Sequence, residues 1–310
     1  MATLTTPAPE AQVKDVRRRR RPSLGKIAGW AVLISLIVVT IFPFYWMLRT
    51  ALSTNAALFT DTSSLGPVGF SWEGFRRALG LATVEESLAD GGSGASLNLV
   101  QNLINSVIVA TTVTVVQTLA SAMAAYAFTR LQWRGRDTLF KIFIVGLMVP
   151  LIFTLIPNFV LMRELGLIDT LAGIALPTLF ISPFAVFFLR QFFMGISVEI
   201  EEAAQIDGAG RLRRMFQVIL PQAAPALITL AIITYIAAWN DYLWPLMVSN
   251  SESSRVLTVA LGVFRSQATD GTMDWAGLMA ATLIAALPML LLFLVFAKRI
   301  VNNIGFNGIK

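Results

Sequence analysis

Long apolar stretches separated by polar segments dominate this chain of 310 residues. Crossing the apolar core of a bilayer, ~30 Å thick, takes ~20 residues at a helical rise of ~1.5 Å each. Six stretches are long enough, so the pattern predicts an all-α polytopic membrane protein with six transmembrane helices. The predicted spans are residues 27–48, 102–128, 142–162, 170–189, 225–247 and 275–297.

A basic segment precedes the first stretch, as it would in a signal peptide. The 22 residues from 27 to 48 carry no charge, which is longer than the apolar region of such a peptide, and Ala51-Leu52-Ser53 is a poor cleavage site. We therefore expect a retained helix after a basic N-terminal tail, residues 1–26. The tail contains five consecutive arginines, residues 17–21, which could anchor the first span or bind anionic lipid or nucleic acid.

Prolines and polar loops divide the remaining spans. Pro150 and Pro157 fall in the third span and Pro177 and Pro183 in the fourth, which predicts kinks in both helices. Residues 50–100 predict a polar loop with one short helix over residues 71–79, capped by Ser71, and a flexible tip at residues 90–94. A second polar loop is predicted over residues 248–274.

The polar insert over residues 197–225 predicts two short helices around a turn. Ser197 is expected to cap the first helix, and the acidic residues after it suit the positive helix N-terminus. Asp207-Gly208-Ala209-Gly210 supplies the turn, because glycine accepts positive φ angles. The second helix is expected to end at Pro221, with Pro225 opening the next span. Its apolar residues recur at helical spacing as one stripe: Leu212, Met215, Phe216, Ile219 and Leu220. An amphipathic connector on the membrane surface is the alternative.

Within this insert, Glu202-Ala203-Ala204, Asp207-Gly208-Ala209 and Ile219-Leu220-Pro221 resemble the EAA loop of the membrane subunits of ABC importers. We therefore call residues 197–225 the EAA loop. In that family the loop is the coupling helix that docks into a cleft of the cytoplasmic ATPase. The resemblance implies a role in ATPase coupling for Glu201, Glu202, Ala203, Ala204, Asp207, Gly208, Arg211, Leu220 and Pro221.

Further motifs resemble the maltose-type sugar permeases. They are Asn105-Ser106, residues 125–130 with Gly135-Arg136, the prolines at 150, 157 and 177, residues 239–241 with 244–246, and residues 305–310. The resemblance implies a permease subunit of a bacterial ABC importer for a di- or oligosaccharide, with a permease domain over residues 27–300 and a C-terminal tail over residues 301–310. It implies these partners: a second homologous permease, two ATPase subunits, an extracytoplasmic solute-binding protein and the sugar substrate.

The low charge and high hydropathy of the chain agree with a membrane protein, for which we expect the lipid bilayer as a partner. Only 14% of residues are charged, against ~25% in soluble domains, and the mean hydropathy is +0.71. A net charge of +6 could suggest nucleic acid, but the basic residues flank apolar spans, so we expect no nucleic-acid partner. With six spans, 18 of the 24 Lys and Arg residues lie on the side of the termini and the EAA loop. The positive-inside rule places that side in the cytoplasm, in a multi-pass protein of the bacterial plasma membrane.

The sequence lacks the residues that several kinds of chemistry need. Cysteine and histidine are absent, which excludes disulfides, thiol nucleophiles, thiolate metal sites and a histidine base. No G-x-x-x-x-G-K-[ST] motif occurs, so ATP and Mg are expected on a partner ATPase. For this chain we expect no catalytic residue, no metal and no cofactor. Nearly charge-free spans disfavour an ion-coupled secondary transporter; a membrane enzyme and an ABC importer for a non-sugar solute are further alternatives.

A substrate path is predicted near the outer end of the fifth span. Asp241 lies ~24 Å along a helix that starts at Pro225, among aromatic and amide side chains that suit the faces and hydroxyl groups of a sugar. An interfacial aromatic belt is the alternative, as is an ion pair of Asp241 with Arg255 or Arg265. Two amide residues of the second span could face the same cavity or bond to other helices. The candidates are Asn102, Asn105, Trp239, Asn240, Asp241 and Tyr242.

Overall fold

The computed structural model describes residues 24–61, 63–93, 97–266 and 273–304. The predictions for the arginine run at 17–21, for the last residue of the glycine-rich tip at 90–94 and for the tail at 305–310 lie outside the described residues. The chain divides into two units, Met1–Trp46 and Met47–Lys310. The described part of the first unit is a single helix, and the contacts below belong to the second unit.

The described residues form fifteen α-helices, which we number in chain order. They are α1 (Leu24–Ala51), α2 (Glu73–Ala78), α3 (Val84–Ala89), α4 (Leu99–Arg130), α5 (Arg136–Val145), α6 (Leu151–Glu164), α7 (Leu171–Leu179), α8 (Pro183–Met194), α9 (Val198–Ile206), α10 (Arg211–Arg214), α11 (Leu220–Gln222), α12 (Ala224–Asn240), α13 (Leu243–Val248), α14 (Leu257–Ser266) and α15 (Trp275–Ile304). Short 3-10 helices cover Ala57–Phe59 and Gly146–Met148, and a π-helical turn covers Met215–Ile219. The all-α prediction is confirmed.

Three of the predicted spans are continuous helices. Each of α1, α4 and α15 contains a segment long and apolar enough to cross a membrane: Ala28–Ala51, Leu99–Arg130 and Trp275–Phe296. The side chain of Asn98 caps α4 by accepting a hydrogen bond from the Gln101 N–H (3.2 Å). These helices match the predicted first, second and sixth spans and extend slightly beyond them.

The other predicted spans contain breaks. α5 and α6 meet at 99°, α7 and α8 at 45°, and the segment Arg211–Gln222 meets α12 at 80°. With each bent pair counted as one span, the described residues provide up to six. All three breaks coincide with proline: Pro150 has extended backbone immediately before α6, Pro183 opens α8, and Pro225 lies in the first turn of α12, as predicted. Pro157 and Pro177 lie inside helices that continue past them, so the predicted kinks occur at only two of the four prolines.

The predicted boundaries need correction in the third and fifth spans. The third begins at Arg136, since α5 starts before the predicted residue 142. The fifth is interrupted near its C-terminal end. α12 ends at Asn240, Asp241 adopts an extended conformation (ψ 129°), and α13 begins at Leu243.

Both predicted polar loops contain more structure than the sequence pattern predicted. Residues 50–100 form α3 as well as α2, and α3 begins with a capping box in which Thr83 and Glu86 exchange hydrogen bonds of 2.9 and 3.2 Å. Ser71 accepts a hydrogen bond from the Glu73 N–H (3.1 Å), although Trp72 is the N-cap of α2. The prediction of a polar loop over 248–274 is wrong for residues 257–266, because α14 buries one apolar face: Leu257, Val259, Ala260 and Phe264.

Three apolar clusters form the core of the second unit. The first joins the end of α4 and α8 to the EAA loop and includes Tyr126, Phe128, Phe193, Met215 and Ile219. The second joins α4, α12, α14 and α15 and includes Leu99, Trp239, Leu257 and Ala281. The third joins α4, α6, α7, α13 and α14 and includes Val113, Met162, Ile174, Trp244 and Val259. Large apolar side chains such as Met148 and Leu151 stay exposed, as expected of a surface that faces lipid.

A buried ion cluster fixes the loop at residues 50–93 to the start of α15. The guanidinium of Arg77 donates to both carboxylate oxygens of Asp274 (2.7 and 3.0 Å) and also to Asp90. The side chains of Arg77 and Asp274 are each 2% exposed. Gly74 allows the close packing, since a Cβ there would lie 2.7 Å from the carbonyl oxygen of Ala51. A charge pair is thus buried at one end of the helix bundle.

Candidate coupling site

The EAA loop begins as the sequence predicts. Ser197 caps α9 by accepting a hydrogen bond from the Glu199 N–H (3.3 Å). α9 ends at Ile206, and the chain reverses through Gly208, whose φ is +81°. The Ala209 N–H donates to the carbonyl of Ala204 (2.9 Å) and closes the turn. No atom crowds the position of a Cβ at Gly208, so backbone conformation alone favours glycine there.

The second half of the loop differs from the prediction in two ways. The π-helical turn at Met215–Ile219 widens the helix and shifts its register. The predicted single stripe is therefore split: Met215, Ile219 and Leu220 are buried, whereas Leu212 and Phe216 are exposed. Pro221 does not end the helix, which continues to Gln222 before the bend into α12.

The two glutamates at the centre of the motif point in opposite directions. Glu201 is buried, with 6% of its surface exposed, and Glu202 is exposed. Consecutive residues of an α-helix lie ~100° apart, so one helix can present one carboxylate to the protein and the next to a partner. The residue types alone do not distinguish them.

Glu201 is the centre of a polar group, buried except for Gln205, that we call the Glu201 cluster: Tyr126, Arg130, Glu201, Gln205 and Arg214. The Tyr126 hydroxyl donates to Oε1 of Glu201 (2.6 Å), and Nε of Arg130 lies 3.5 Å from Oε2. Nη1 of Arg214 lies 3.9 Å from Oε1 and donates to Oε1 of Gln205 (2.5 Å). The cluster joins α9 to α4 and to the second half of the EAA loop. Sequence reasoning assigned no role to Tyr126 or Arg130, although both lie in a motif that it singled out.

The other residues expected in coupling form an outward surface, with one exception. Leu220 is buried in the apolar cluster at this end of the bundle. Ala204 is half-buried, and the rest are exposed: Glu202, Ala203, Asp207, Gly208, Arg211 and Pro221. Three large apolar side chains add to this surface: Ile206, Leu212 and Phe216. The outward surface therefore combines acidic, basic and apolar groups around the Gly208 turn.

The amide residues of α4 occupy different surroundings. Nδ2 of Asn105 donates to the carbonyls of Ser253 and Arg255 (both 2.8 Å), which fastens the loop before α14. Asp169 holds the same loop from the other side by accepting hydrogen bonds from the backbone N–H groups of residues 250 and 251 (both 2.8 Å). Asn102 is buried, and its Oδ1 has no hydrogen-bond partner. It borders a cavity of about 80 Å³ beside Glu252.

The candidates around the break in the fifth span do not converge on one cavity. Trp239 and Asn240 line an apolar cavity of about 450 Å³ between α12, α14 and α15. Asp241 instead borders a cavity of about 20 Å³ with Ser106 and Thr178. Tyr242 is exposed. Within the described residues Asp241 has no ion pair, so the alternative of a pair with Arg255 or Arg265 is not found.

These features together define a class: a multi-pass membrane permease with a short helical loop presented at one end. The chain belongs to the family of binding-protein-dependent transport system inner membrane components, which matches residues 117–305, more than half of the chain. The resemblance to permeases of ABC importers is thereby confirmed. The chain is a transport subunit and a multi-pass inner-membrane protein.

Two relatives and one solved structure show how far the similarity extends. The chain is 30% identical over 277 residues to the diacetylchitobiose uptake system permease protein NgcG of Streptomyces coelicolor, covering 89% of this chain and 86% of that one. It is 29% identical over 279 residues to the trehalose/maltose transport system permease protein MalG of Thermococcus litoralis, covering 89% and 94%. A crystal structure of a bacterial ABC transporter involved in alginate import matches with a TM-score of 0.74 at 22% identity, covering 88% and 95%. The last likeness concerns the fold alone.

Proposed function

We propose that this chain is one permease of an ATP-driven importer for a di- or oligosaccharide. It pairs with a second, homologous permease, two ATPase subunits that bind ATP and Mg, and an extracytoplasmic solute-binding protein. The sugar class is supported by NgcG and MalG, whose names give diacetylchitobiose, trehalose and maltose as substrates. A sugar path through this subunit, past the candidates on α4 and α12, stays a prediction.

The outward surface of the EAA loop is the observation that carries the coupling function. Glu202 projects from a short, capped helix, and exposed apolar side chains such as Ile206 and Leu212 lie beside it. An apolar patch next to a charged group is typical of a docking site for a protein partner. We place this surface in the cytoplasm, since 18 of the 24 Lys and Arg residues lie on its side.

Alternating access follows from this docking. When ATP closes the ATPase dimer, the docked loop moves with it and the spans open toward the binding protein. The equilibrium between the two states shifts only as far as ATP and the loaded binding protein favour one of them.

The test is sugar uptake by the complete complex in proteoliposomes, with partners taken from neighbouring genes. Radiolabelled diacetylchitobiose, trehalose and maltose are offered beside a non-sugar solute. We expect uptake of a sugar that needs ATP and the binding protein, and loss of uptake in Glu202→Lys. Glu199→Lys is the matched control, because Glu199 is an exposed acid on the same helix. Uptake of only the non-sugar solute would refute the sugar class, and normal uptake by an assembled Glu202→Lys complex would refute the coupling surface.

A further inference from the structure

The Glu201 cluster occupies the place where a docked loop must transmit force to the spans. Glu201 is on α9, which carries the outward surface, while Tyr126 and Arg130 are on the last turns of α4. Oε1 of Glu201 accepts a hydrogen bond from the Tyr126 hydroxyl (2.6 Å), and its Oε2 lies 3.5 Å from Nε of Arg130. The side chains of Arg130 and Glu201 are each 7% exposed. This glutamate is therefore withdrawn from the surface that a partner would touch.

Arg130 connects the end of α8 to the Glu201 cluster. Its Nη2 donates to the carbonyls of Phe193 (2.7 Å) and Ile196 (2.5 Å), just at and beyond the end of α8. A cation at a helix C-terminus is favoured by the helix dipole. The Arg130 guanidinium at the end of α4 thus bonds to the end of α8 and forms a buried ion pair, without a hydrogen bond from Nε, with Glu201 of α9.

α4 extends from this cluster to the opposite end of the bundle. It is a continuous helix of 32 residues, ~48 Å long at ~1.5 Å per residue. Near its other end, Asn105 bonds to the carbonyls of Ser253 and Arg255, and Oγ of Ser106 accepts the Leu257 N–H (2.8 Å). The helix therefore joins the EAA loop to the loop that precedes α14.

We propose that Glu201 is a positioning residue that locks α9 to α4 and α8, so that movement of the docked EAA loop is passed through α4 to the loop before α14. Glu202 contacts the partner, and Glu201 transmits the movement. The proposal rests on the proposed coupling function. It predicts that loss of the Glu201 charge uncouples ATP hydrolysis from transport while the ATPase still binds, because the outward surface is intact. A buried guanidinium left without its carboxylate would also weaken the junction of the three helices.

The experiment compares Glu201→Gln with Glu199→Gln in the assembled complex. Glutamine keeps the shape of glutamate, and Glu199 is the exposed acid on the same helix. The measurements are co-purification of the ATPase, sugar uptake, and the ratio of ATP hydrolysis with and without the loaded binding protein. For Glu201→Gln we expect normal co-purification with uptake and the stimulation ratio reduced by about 10-fold, within the range of coupling effects between sites. Glu199→Gln is expected to behave as the parent.

A second variant removes one hydrogen bond only. Tyr126→Phe deletes the hydroxyl that donates a hydrogen bond to Glu201. We expect it to reduce uptake and the stimulation ratio by about 3-fold, less than Glu201→Gln does. If Glu201→Gln is not recovered as a folded membrane protein, this variant decides: a reduced stimulation ratio supports the proposal, and a parental ratio overturns it. Parental uptake by an assembled Glu201→Gln complex also overturns it. Loss of ATPase binding in Glu201→Gln overturns it as well, because Glu201 would then belong to the docking surface.

Failure of this proposal can be distinguished from failure of the coupling function. If Glu202→Lys blocks uptake while Glu201→Gln does not, the proposed docking surface is supported and only the positioning role of Glu201 is refuted. If the ATPase does not co-purify with the parent chain, the coupling function itself fails. The absence of native cysteine allows a direct readout with spin labels on cysteines introduced at Val198 and Gln132. Their distance distribution should be narrow in the parent and broaden in Glu201→Gln; equal widths would contradict the lock.

Discussion

Loss of the Arg77 guanidinium should open the loop at residues 50–93. In Arg77→Met the carboxylate of Asp274, 2% exposed, loses both of its bonds from the arginine. Breaking a buried pair by removing one partner costs about 3–5 kcal/mol. At 1.4 kcal/mol per factor of ten, about 3 kcal/mol raises the population of an opened loop roughly 100-fold.

Cysteine labelling measures this opening. Ser93 is 5% exposed and lies next to Gly92, whose Cβ position is 3.1 Å from Nε of Arg77. In a Ser93→Cys background, the rate of reaction with an impermeant thiol reagent should rise roughly 100-fold when Arg77 becomes Met. A cysteine at the exposed Ser63 should react at the same rate in both backgrounds.

Arg76→Met is the matched control for the substitution itself. Arg76 is the adjacent arginine on α2, and its pairs with Glu73 (2.7 Å) and Glu86 (3.5 Å) are partly exposed to solvent, unlike the buried pair of Arg77. Exposed pairs contribute little to stability, so this variant should label at nearly the parental rate. An unchanged rate in Arg77→Met, or an equal rise in Arg76→Met, would refute the reasoning from burial.

Four further predictions concern topology, the loop turn, a loop clamp and the sugar path. A cysteine at Ser63 should react with an impermeant reagent in intact cells and one at Gly210 should not; the reverse pattern would overturn the orientation. Gly208→Ala should lower the free energy of unfolding by about 1 kcal/mol, measured by thermal unfolding, because the φ of Gly208 is +81°. Gly210→Ala is the control and should leave the free energy of unfolding unchanged, because the φ of Gly210 is −67°. Hydrogen bonds, first that from the backbone N–H of residue 251, hold the pKa of Asp169 well below its usual range. Its stabilisation should therefore be complete above about pH 4 and be lost as the pH falls further, so the difference in Tm between the parent and Asp169→Asn should shrink only in acid. Asp241→Asn should raise the sugar concentration for half-maximal uptake if Asp241 contacts substrate, and parental uptake would assign it to the interfacial belt.

The spans and the turn of the EAA loop could be predicted from sequence because both depend on local properties. Apolar length sets the spans, and the residue order around Gly208 sets the turn. Proline alone was less informative. Pro150 and Pro183 coincide with breaks and Pro157 and Pro177 do not, since the surrounding helices decide whether the freed carbonyl groups are satisfied.

The burial of the Glu201 side chain against α4 could not be predicted, because it depends on hydrogen-bond partners far away in the chain. Tyr126 is 75 positions from Glu201, and nothing in the local sequence distinguishes this glutamate from Glu202. The same limit applies to the substrate-path candidates. Asn240 and Asp241 are neighbours in sequence, yet the helix break between them directs them to separate cavities.

The short apolar helix α14 has a consequence for counting membrane crossings. Its ten residues reach only ~15 Å, about half of the bilayer core. It is too short to cross by itself, and we expect both of its ends to lie on the same side of the membrane. A reporter fused after residue 266 should give the same topology signal as one fused after residue 250. We therefore expect α14 to add no crossing to the up to six spans of the described residues.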